Sequence, residues 1–533
     1  MVDQTAPLRI GIIVDSLVQP RWVRRSLERV LASGVAIIEL VVRVELNPER
    51  PSLLRRLYDR IDRRLFAAEA MEPVSVEDLL GPVPIGDGVL DSNLDLLINF
   101  ADCDLNAEFA DAAKHGVWFY SFGAAPGFEE LSNGAPIIHT ALRSRKGNTE
   151  AVVYESVTPA LSRFSVRVNN NTSFWKAAAF VSRALKDLHA ERGLEGNGDQ
   201  SPPARAPGNT AMTQLFLKLS GRAAARAFDR SSSFEQWVIA YQIGAGEFRY
   251  LVPPADRFWA DPFPLKVNGK YYIFFEDYVN EIGRAHISVV EVNNEGIVDG
   301  PIEVLKLDCH LSYPFVFEWQ DDYWMIPETG ERNVVELYRC VSFPSVWEPE
   351  KVLLETNHPL DATVVEAGGV WWMFVNVEED GVAVNWDELH LYYADNLLGE
   401  WRPHARNPIV SDVRSARPAG RLFWSNDELY RPSQDSSLRY GYATTINKVI
   451  SLSPRTYHEE EVGKLLPDWD GQVIGVHTLN FLDDFTVIDC LTKRKRRAEA
   501  RFKSPRHSLD LLSSANIELR SATVSNLVSR IKS

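Results

Sequence analysis

The chain has 533 residues, is 45% hydrophobic and 24% charged, and carries a formal net charge of −16. That length exceeds one hydrophobic core and predicts two or three domains, while the acidic balance excludes a nucleic-acid polyanion as main partner, since affinity there depends on clustered Lys and Arg. Cys103, Cys309, Cys340 and Cys490 lie far apart, without the CxxC spacing of a zinc or redox motif, and read as reduced core residues; no metal and no cofactor are expected.

Met1–Pro7 lacks the basic and apolar regions of a signal peptide, and no apolar run approaches the roughly 20 residues of a membrane span, so the expected location is cytoplasmic. Leu8–Val14 is a nearly continuous apolar strand. Pro20 to Leu31 carries helical spacing, with Trp22, Val23, Leu27, Val30 and Leu31 on one side, and a second strand follows at Ala36–Val42. Strand, helix, strand in that order predicts a parallel unit. Further strands are expected at Asp95–Phe100 and Gly116–Phe122, with a short helix over Ala107–His115 between them. Residues 1–190 are thus read as a Rossmann-like α/β domain. Gly11 stands alone after the first strand, so a dinucleotide would find no glycine cradle for its phosphates.

The run Gly116–Gly123, then Pro126–Leu131, Asn133–Pro136 and Thr140–Leu142, resembles the folate-dependent formyltransferase superfamily. The resemblance implies an Asn and a His on this strand, and a later Asp, as the groups that polarise the formyl carbonyl and handle the amine proton. Matched by position, the Asn falls on Phe119 and the His on Ser121, and no Asp follows in 147–170. Phe119 cannot hydrogen-bond an oxyanion and Ser121 is no base near neutral pH, so the resemblance implies a retained fold without the chemistry.

From Gly193 to Asn209 the composition is that of a linker. Met212 to Phe228 then places Leu215, Phe216, Leu219, Ala223 and Phe228 on one side of an amphipathic helix, with Lys218, Arg222 and Arg226 elsewhere. Residues 191–234 are read as linker plus helix. The helix is expected to pack between the domains, and an anionic membrane surface is its other seat.

From 235 to 497 one phrase recurs about every fifty residues, most fully in its first copies: an apolar strand beginning at an Asp, a two-residue polar turn, and a second aromatic strand ending in an acid. The copies run Phe258–Leu265 to Asp277, Tyr313–Phe317 to Glu328, Asp361–Val365 to Phe374, Pro418–Trp424 to Arg431, and His477–Phe481 to Asp489. Such a period is the signature of a radial β-repeat, because one four-stranded blade cannot bury both faces alone. Five copies predict a five-bladed propeller, in which equivalent first-strand positions converge on the central channel. Those positions are Asp261, Tyr313, Asp361, Pro418 and His477, with Glu276, Glu328 and Gln434 near the ends of the following strands. Asp261, Asp361 and Glu328 are the candidate catalytic acids, since a glycosidic bond is broken by two carboxyl groups. Trp259, Glu276, Tyr313, Arg431, Gln434 and His477 are candidate substrate-binding groups, the aromatics as stacking faces for sugar rings.

The phrases Trp259–Phe263, Phe274–Asp277, Ile326–Thr329, Asp361–Thr363 and Leu429–Asp435 resemble the five-bladed domain at the N-terminus of plant glucosamine inositol-phosphorylceramide transferases, and of bacterial proteins around surface-polysaccharide synthesis. At the level of fold they are also similar to five-bladed glycoside hydrolases and fructosyltransferases. The first resemblance implies a role in glycoconjugate synthesis, with a sugar, sugar nucleotide or glycoconjugate as ligand and a glycosyltransferase as partner. A glycosyl-transferring or glycoside-processing activity, formyl transfer to an amino-sugar nucleotide, and a non-catalytic scaffold all stay open. The run Lys493–Arg497 reads as a solvated strand end, with an acidic lipid head group as the sharper alternative. Residues 498–533 are expected to form a helical tail.

Overall fold

A computed structural model describes residues 6–46, 51–81, 83–86, 93–101, 103, 107–122, 126–192, 207–229, 233–244, 248–378 and 384–495. The expected tail, Arg496 and Arg497, and most of the expected linker lie outside them. The chain divides into two compact units, Met1–Ala223 and Ala224–Ser533. Among the described residues no helix is long and apolar enough to cross a membrane.

The N-terminal unit is built on a seven-stranded sheet, in the order Ile85–Gly86, Ala36–Arg43, Leu8–Val14, Leu96–Asn99, Val117–Ser121, Ile137–Lys146, Thr149–Pro159. The first five strands are parallel and the last two antiparallel, so the sheet is mixed. The apolar runs at Leu8–Val14 and Leu96–Asn99 suit strands covered on both faces. The helix expected from Pro20 runs Arg21–Ser33 and buries Trp22, Val23, Leu27 and Val30, whereas Leu31 faces solvent. Gly11 serves close packing: a Cβ there would stand 2.7 Å from Leu97 Cδ2 and 2.9 Å from Leu94 Cδ1. The helix Asn209–Asp229 seats Met212 and Leu215 against Tyr58, Phe128, Leu131 and Val166 of this unit.

The second unit holds five antiparallel sheets that close as a propeller. Four blades are consecutive: 257–305, 312–355, 359–403 and 423–465. The fifth is shared between the two ends of the repeat region. Its inner strands are Val473–Gly475 with Leu479–Leu482 and then Phe485–Lys495, and its outer strands are Ser233–Ile243 and Arg249–Leu251. Ser233–Ile243 pairs with Phe485–Lys495 over eleven residue pairs, which fastens the ring. Apolar cores fill each blade junction: Tyr241, Trp259, Phe275 and Phe485 between the fifth and first, Phe263, Tyr313 and Met373 across the first three, Phe374, Leu391 and Leu429 between third and fourth, and Ile446, Val476 and Leu479 between fourth and fifth.

The two-residue turns foreseen in the repeat are hairpin turns with both residues left-handed, as at Gln320–Asp321 (φ 53 and 64°), Gly368–Gly369 (63 and 75°) and Asn426–Asp427 (50 and 61°). That backbone matches the twist of paired strands and favours Asn, Asp and Gly.

Three blades share a second device. Between Ala260↔Glu276 and Phe263↔Phe274 the first strand holds two residues where its partner holds one, and the same bulge recurs between Ser312↔Glu328 and Phe315↔Ile326, and between Leu360↔Asn376 and Thr363↔Phe374. The first bulged residue is Asp261, Tyr313 or Asp361, each left-handed with φ of 50, 42 and 54°. A bulge re-aims a side chain, and a bulky residue held at positive φ is strained, so three equivalent copies mark positions at which the surrounding blades fix an unfavourable backbone.

The fourth blade departs from this pattern at Gly420, whose φ is 131° and whose amide donates to Tyr313 Oη at 2.7 Å. A Cβ at Gly420 would lie 2.3 Å from the carbonyl oxygen of Leu479. Gly420→Ala is expected to destabilise the propeller by about 2–4 kcal/mol in chemical denaturation. A loss under about 0.5 kcal/mol would show that this junction is not closely fitted.

Candidate functional site

The bulges and the second strands deliver a cluster of five carboxyl groups, Asp261, Glu276, Glu328, Asp361 and Asp489, whose electrostatic coupling runs from blade to blade. Two cationic groups stand among them. Arg417 sends Nε to Asp361 Oδ2 at 2.5 Å and Nη2 to Asp361 Oδ1 at 3.2 Å and Glu328 Oε2 at 3.4 Å. His477 sets Nδ1 2.5 Å from Asp489 Oδ2 and Nε2 3.5 Å from Asp261 Oδ1.

Each acid has a different surrounding. Asp361 is 1% exposed and also accepts from Gln434 Nε2 at 3.2 Å, so it is held rather than free. Asp489 is a hub: its Oδ1 accepts the amides of His477 and Thr478, and its Oδ2 accepts the amide of Asp261. Asp261 accepts from Thr478 Oγ1 at 2.8 Å. Asp261, His477 and Asp489 form the one His and carboxylate group among the described residues compact enough to hold a metal ion. Both Asp489 oxygens are already committed to three backbone amides, and Asp261 Oδ1 to the Thr478 hydroxyl.

Burial dominates the titration of this cluster. Desolvation raises Asp261 to about 6, against the attraction of His477 and with added repulsion from Asp361. It raises Glu276 well above the usual carboxylate range, with Asp261 as the next cause, and does the same for Glu328, where repulsion from Asp361 adds and Arg417 opposes. Burial thus favours the protonated form of both glutamates. Burial alone would lower His477, but Asp489 and Asp261 outweigh it and the net shift is upward. Burial lowers His310, whose Nδ1 accepts the amide of Ala285 at 3.3 Å. Its proton therefore sits on Nε2, which points at Glu276 Oε1 from 3.4 Å.

The sequence-derived residues fare unequally. Asp261, Glu276, Glu328, Asp361, Gln434 and His477 come together as expected. Arg431 does not join them: its guanidinium pairs with Glu459 at 2.5–2.8 Å and with the Ser415 carbonyl inside the fourth blade. The arginine of the cluster is Arg417. Trp259 and Tyr313 are 1% and 0% exposed and cannot offer a face to a sugar; Trp259 packs on Phe275, while Tyr313 Oη contacts Thr363 and Gly420. Their inward packing follows from the interleaved blade junctions, which consume the large aromatics next to each bulge.

The aromatics bordering the cluster are others. Tyr440 is 36% exposed, with Arg417 5.3 Å from its ring centroid and His477 edge-on at 5.5 Å. Part-exposed Trp386 lies 5.6 Å from Tyr440, and part-exposed Trp237 stacks on His477 at 4.1 Å. Arg417 sits one residue before the expected Pro418, and Asp489 lies on the second strand of its repeat as Glu276 and Glu328 lie on theirs, so strict alignment of the repeats finds both. Trp237 comes from the closing strand and carries no repeat signal.

Fold and site together define a five-bladed propeller with a buried acidic cluster where its blades converge and aromatic rings beside it. Residues 235–470 match the family described as glucosamine inositolphosphorylceramide transferase 1, N-terminal. Proteins named glucosamine inositolphosphorylceramide transferase 1 match as well: that of Arabidopsis thaliana is 35% identical over 210 residues, 39% of this chain and 27% of its own length, and that of Oryza sativa subsp. japonica is 34% identical over 226 residues, 40% and 30%. The chain thus spans less than a third of the curated relatives it matches. A family 117 glycoside hydrolase of Zobellia galactanivorans is 14% identical with a TM-score of 0.33, over 48% of this chain and 90% of that one.

Since the raised acids and His477 all bind protons more tightly in the native state than in the unfolded one, the native state holds more protons across the range between the two sets of pKa values, and stability falls as pH rises through it. The lowered His115, His286 and His310 pull the other way within this range but are fewer than the raised groups of the cluster, and the lowered carboxylates Asp484, Glu428 and Asp78 titrate below it in exposed pairs of little weight. The propeller is expected to melt at higher temperature at pH 5.5 than at pH 8, with a shallower slope in Glu276→Gln. A melting temperature that rises with pH would contradict this reading of the cluster.

Proposed function

We propose that the propeller is a saccharide-binding module of glycoconjugate synthesis, with its ligand seated on Glu328, Arg417 and Tyr440 at the mouth of the acidic cluster. The observation that carries the reading is the convergence, within a segment matched by the glucosamine inositolphosphorylceramide transferase family, of buried carboxyl groups with an arginine and part-exposed rings. Glu328 and Arg417 would hydrogen-bond sugar hydroxyls, with Arg417 also able to donate to a phosphate oxygen, and the Tyr440 and Trp386 rings offer the flat apolar faces that pyranose C–H groups pack on.

The match spans 27–30% of those transferases, so it supports recognition of a sugar, sugar nucleotide or glycoconjugate more directly than the transfer step. The commitments of Asp361 and Asp489 to Arg417 and to backbone amides favour binding over glycoside cleavage in the same way, because a catalytic carboxylate must change partner during the reaction. Hydrolysis or transfer by Asp261, Asp361 and Glu328 is the alternative.

The N-terminal unit is read as a formyltransferase-like scaffold without formyl transfer. Phe119, at the position of the expected Asn, has Arg145 5.2 Å from its ring and pairs with Arg143, and Ser121 pairs with Ala141.

Calorimetric titration with UDP-N-acetylglucosamine, and binding to an array of amino-sugar glycans, test the reading. Tyr440→Ala and Glu328→Gln are each expected to weaken binding about tenfold or more while melting stays within a few degrees. Unaltered affinity in both variants would remove the ligand from this mouth.

A further inference from the structure

We propose that the outward face of the helix Leu53–Leu65 is a docking surface for an anionic lipid bilayer. The helix is fixed on its inner side: Tyr58 Oη donates to the Phe164 carbonyl and accepts the Val166 amide, and Asp62 accepts from Ser165 Oγ and the Arg167 amide. Ser52 caps its first turn through the Arg55 amide. The exposed face is therefore a set surface and not a consequence of fraying.

That face carries two parallel ridges at four-residue spacing. One is aliphatic: Leu53, Leu57, Ile61 and Leu65 are 66%, 45%, 41% and 68% exposed. The other is Arg56, Arg60 and Arg64, all exposed, with Arg63 beside it. None of these four arginines has an ion-pair partner among the described residues, whereas Arg55, on the inner flank, is paired with Asp59. Four large aliphatics in solvent over a helix about 20 Å long form a continuous apolar strip.

Charge chooses the occupant. The chain as a whole is strongly acidic, at −16, yet among the described residues this face of the helix bears cationic groups alone. An apolar strip flanked by unpaired arginines suits the boundary between head groups and acyl chains, where aliphatics enter the apolar layer and guanidinium groups reach lipid phosphates. The rigid mount lets the helix bind without an ordering cost.

Co-sedimentation of the full chain with vesicles tests this. Vesicles of phosphatidylcholine with about a third phosphatidylserine should bind it, and vesicles of phosphatidylcholine alone should not. At about fivefold per arginine, the triple variant Arg56→Gln, Arg60→Gln, Arg64→Gln should lose roughly a hundredfold in partitioning, and 0.5 M salt should release the wild type. The pair Leu57→Ser, Ile61→Ser should also lose binding, with circular dichroism unchanged since all five positions are exposed. Equal partitioning to both vesicle types, binding unaffected by the arginine changes, or no binding together with self-association that Leu57→Ser, Ile61→Ser abolishes, would each overturn the proposal; the last would assign the face to a second copy of the chain.

Discussion

Five carboxyl groups from four of the five blades share one small, poorly hydrated volume where the blades converge, and the organisation of that domain depends on how they are accommodated. A buried carboxylate without a partner costs several kcal/mol, and like charges at short range add to it. Two solutions coexist here. Asp361 and Asp489 are given cations and donors, through Arg417, Gln434, His477 and three backbone amides. Glu276 and Glu328 are given less, and burial pushes their carboxyl groups well above the usual range, towards the protonated form. Asp261, raised to about 6, lies between these extremes.

Such an arrangement needs support from outside the cluster. Left-handed backbone at Asp261, Tyr313 and Asp361 is held by ladder pairs on both sides of each bulge, and by blade junctions filled with large apolar side chains. Asp489 ties the first and fifth blades by accepting amides from Asp261 as well as from His477 and Thr478. Strain and unfavourable charge kept at one end of an otherwise well-packed ring are what a preorganised binding site requires, since the polar groups are already desolvated and oriented before a ligand arrives.

Much of the propeller was legible because its signals are local. Two-residue polar turns between apolar strands fixed the hairpins, and the spacing of Asp261, Tyr313, Asp361 and His477 marked the positions that face the axis. What escaped was orientation. Next to a bulge the alternation of inward and outward side chains slips by one, so Trp259 and Tyr313 read as lining residues yet lie in the junction cores. Arg431 sits one strand away from Arg417 in the same blade, and only pairing to Glu459 distinguishes its role. Trp237 and Tyr440 are brought to the site by ring closure and by a loop, neither of which has a period to read. In the N-terminal unit the apolar runs gave the parallel strands, while the direction of Ile137–Lys146, antiparallel both to Val117–Ser121 and to the strand it joins at Gly147–Asn148, cannot be read from an apolar run. The amphipathic helix at 209–229 was recognised, and its apolar side is taken up by Tyr58, Phe128 and Leu131 of that same unit.

The central claim is that the acidic mouth of the propeller is where a saccharide is held. A crystal structure of the full chain soaked with UDP-N-acetylglucosamine, collected near pH 6, tests it most directly. The account predicts difference density for the sugar against the Tyr440 ring, with hydroxyl or phosphate oxygens within hydrogen-bond distance of Arg417 and Glu328. Well-defined ligand density elsewhere on the molecule, with the Arg417 and Tyr440 side chains unchanged and the mouth empty, would contradict it.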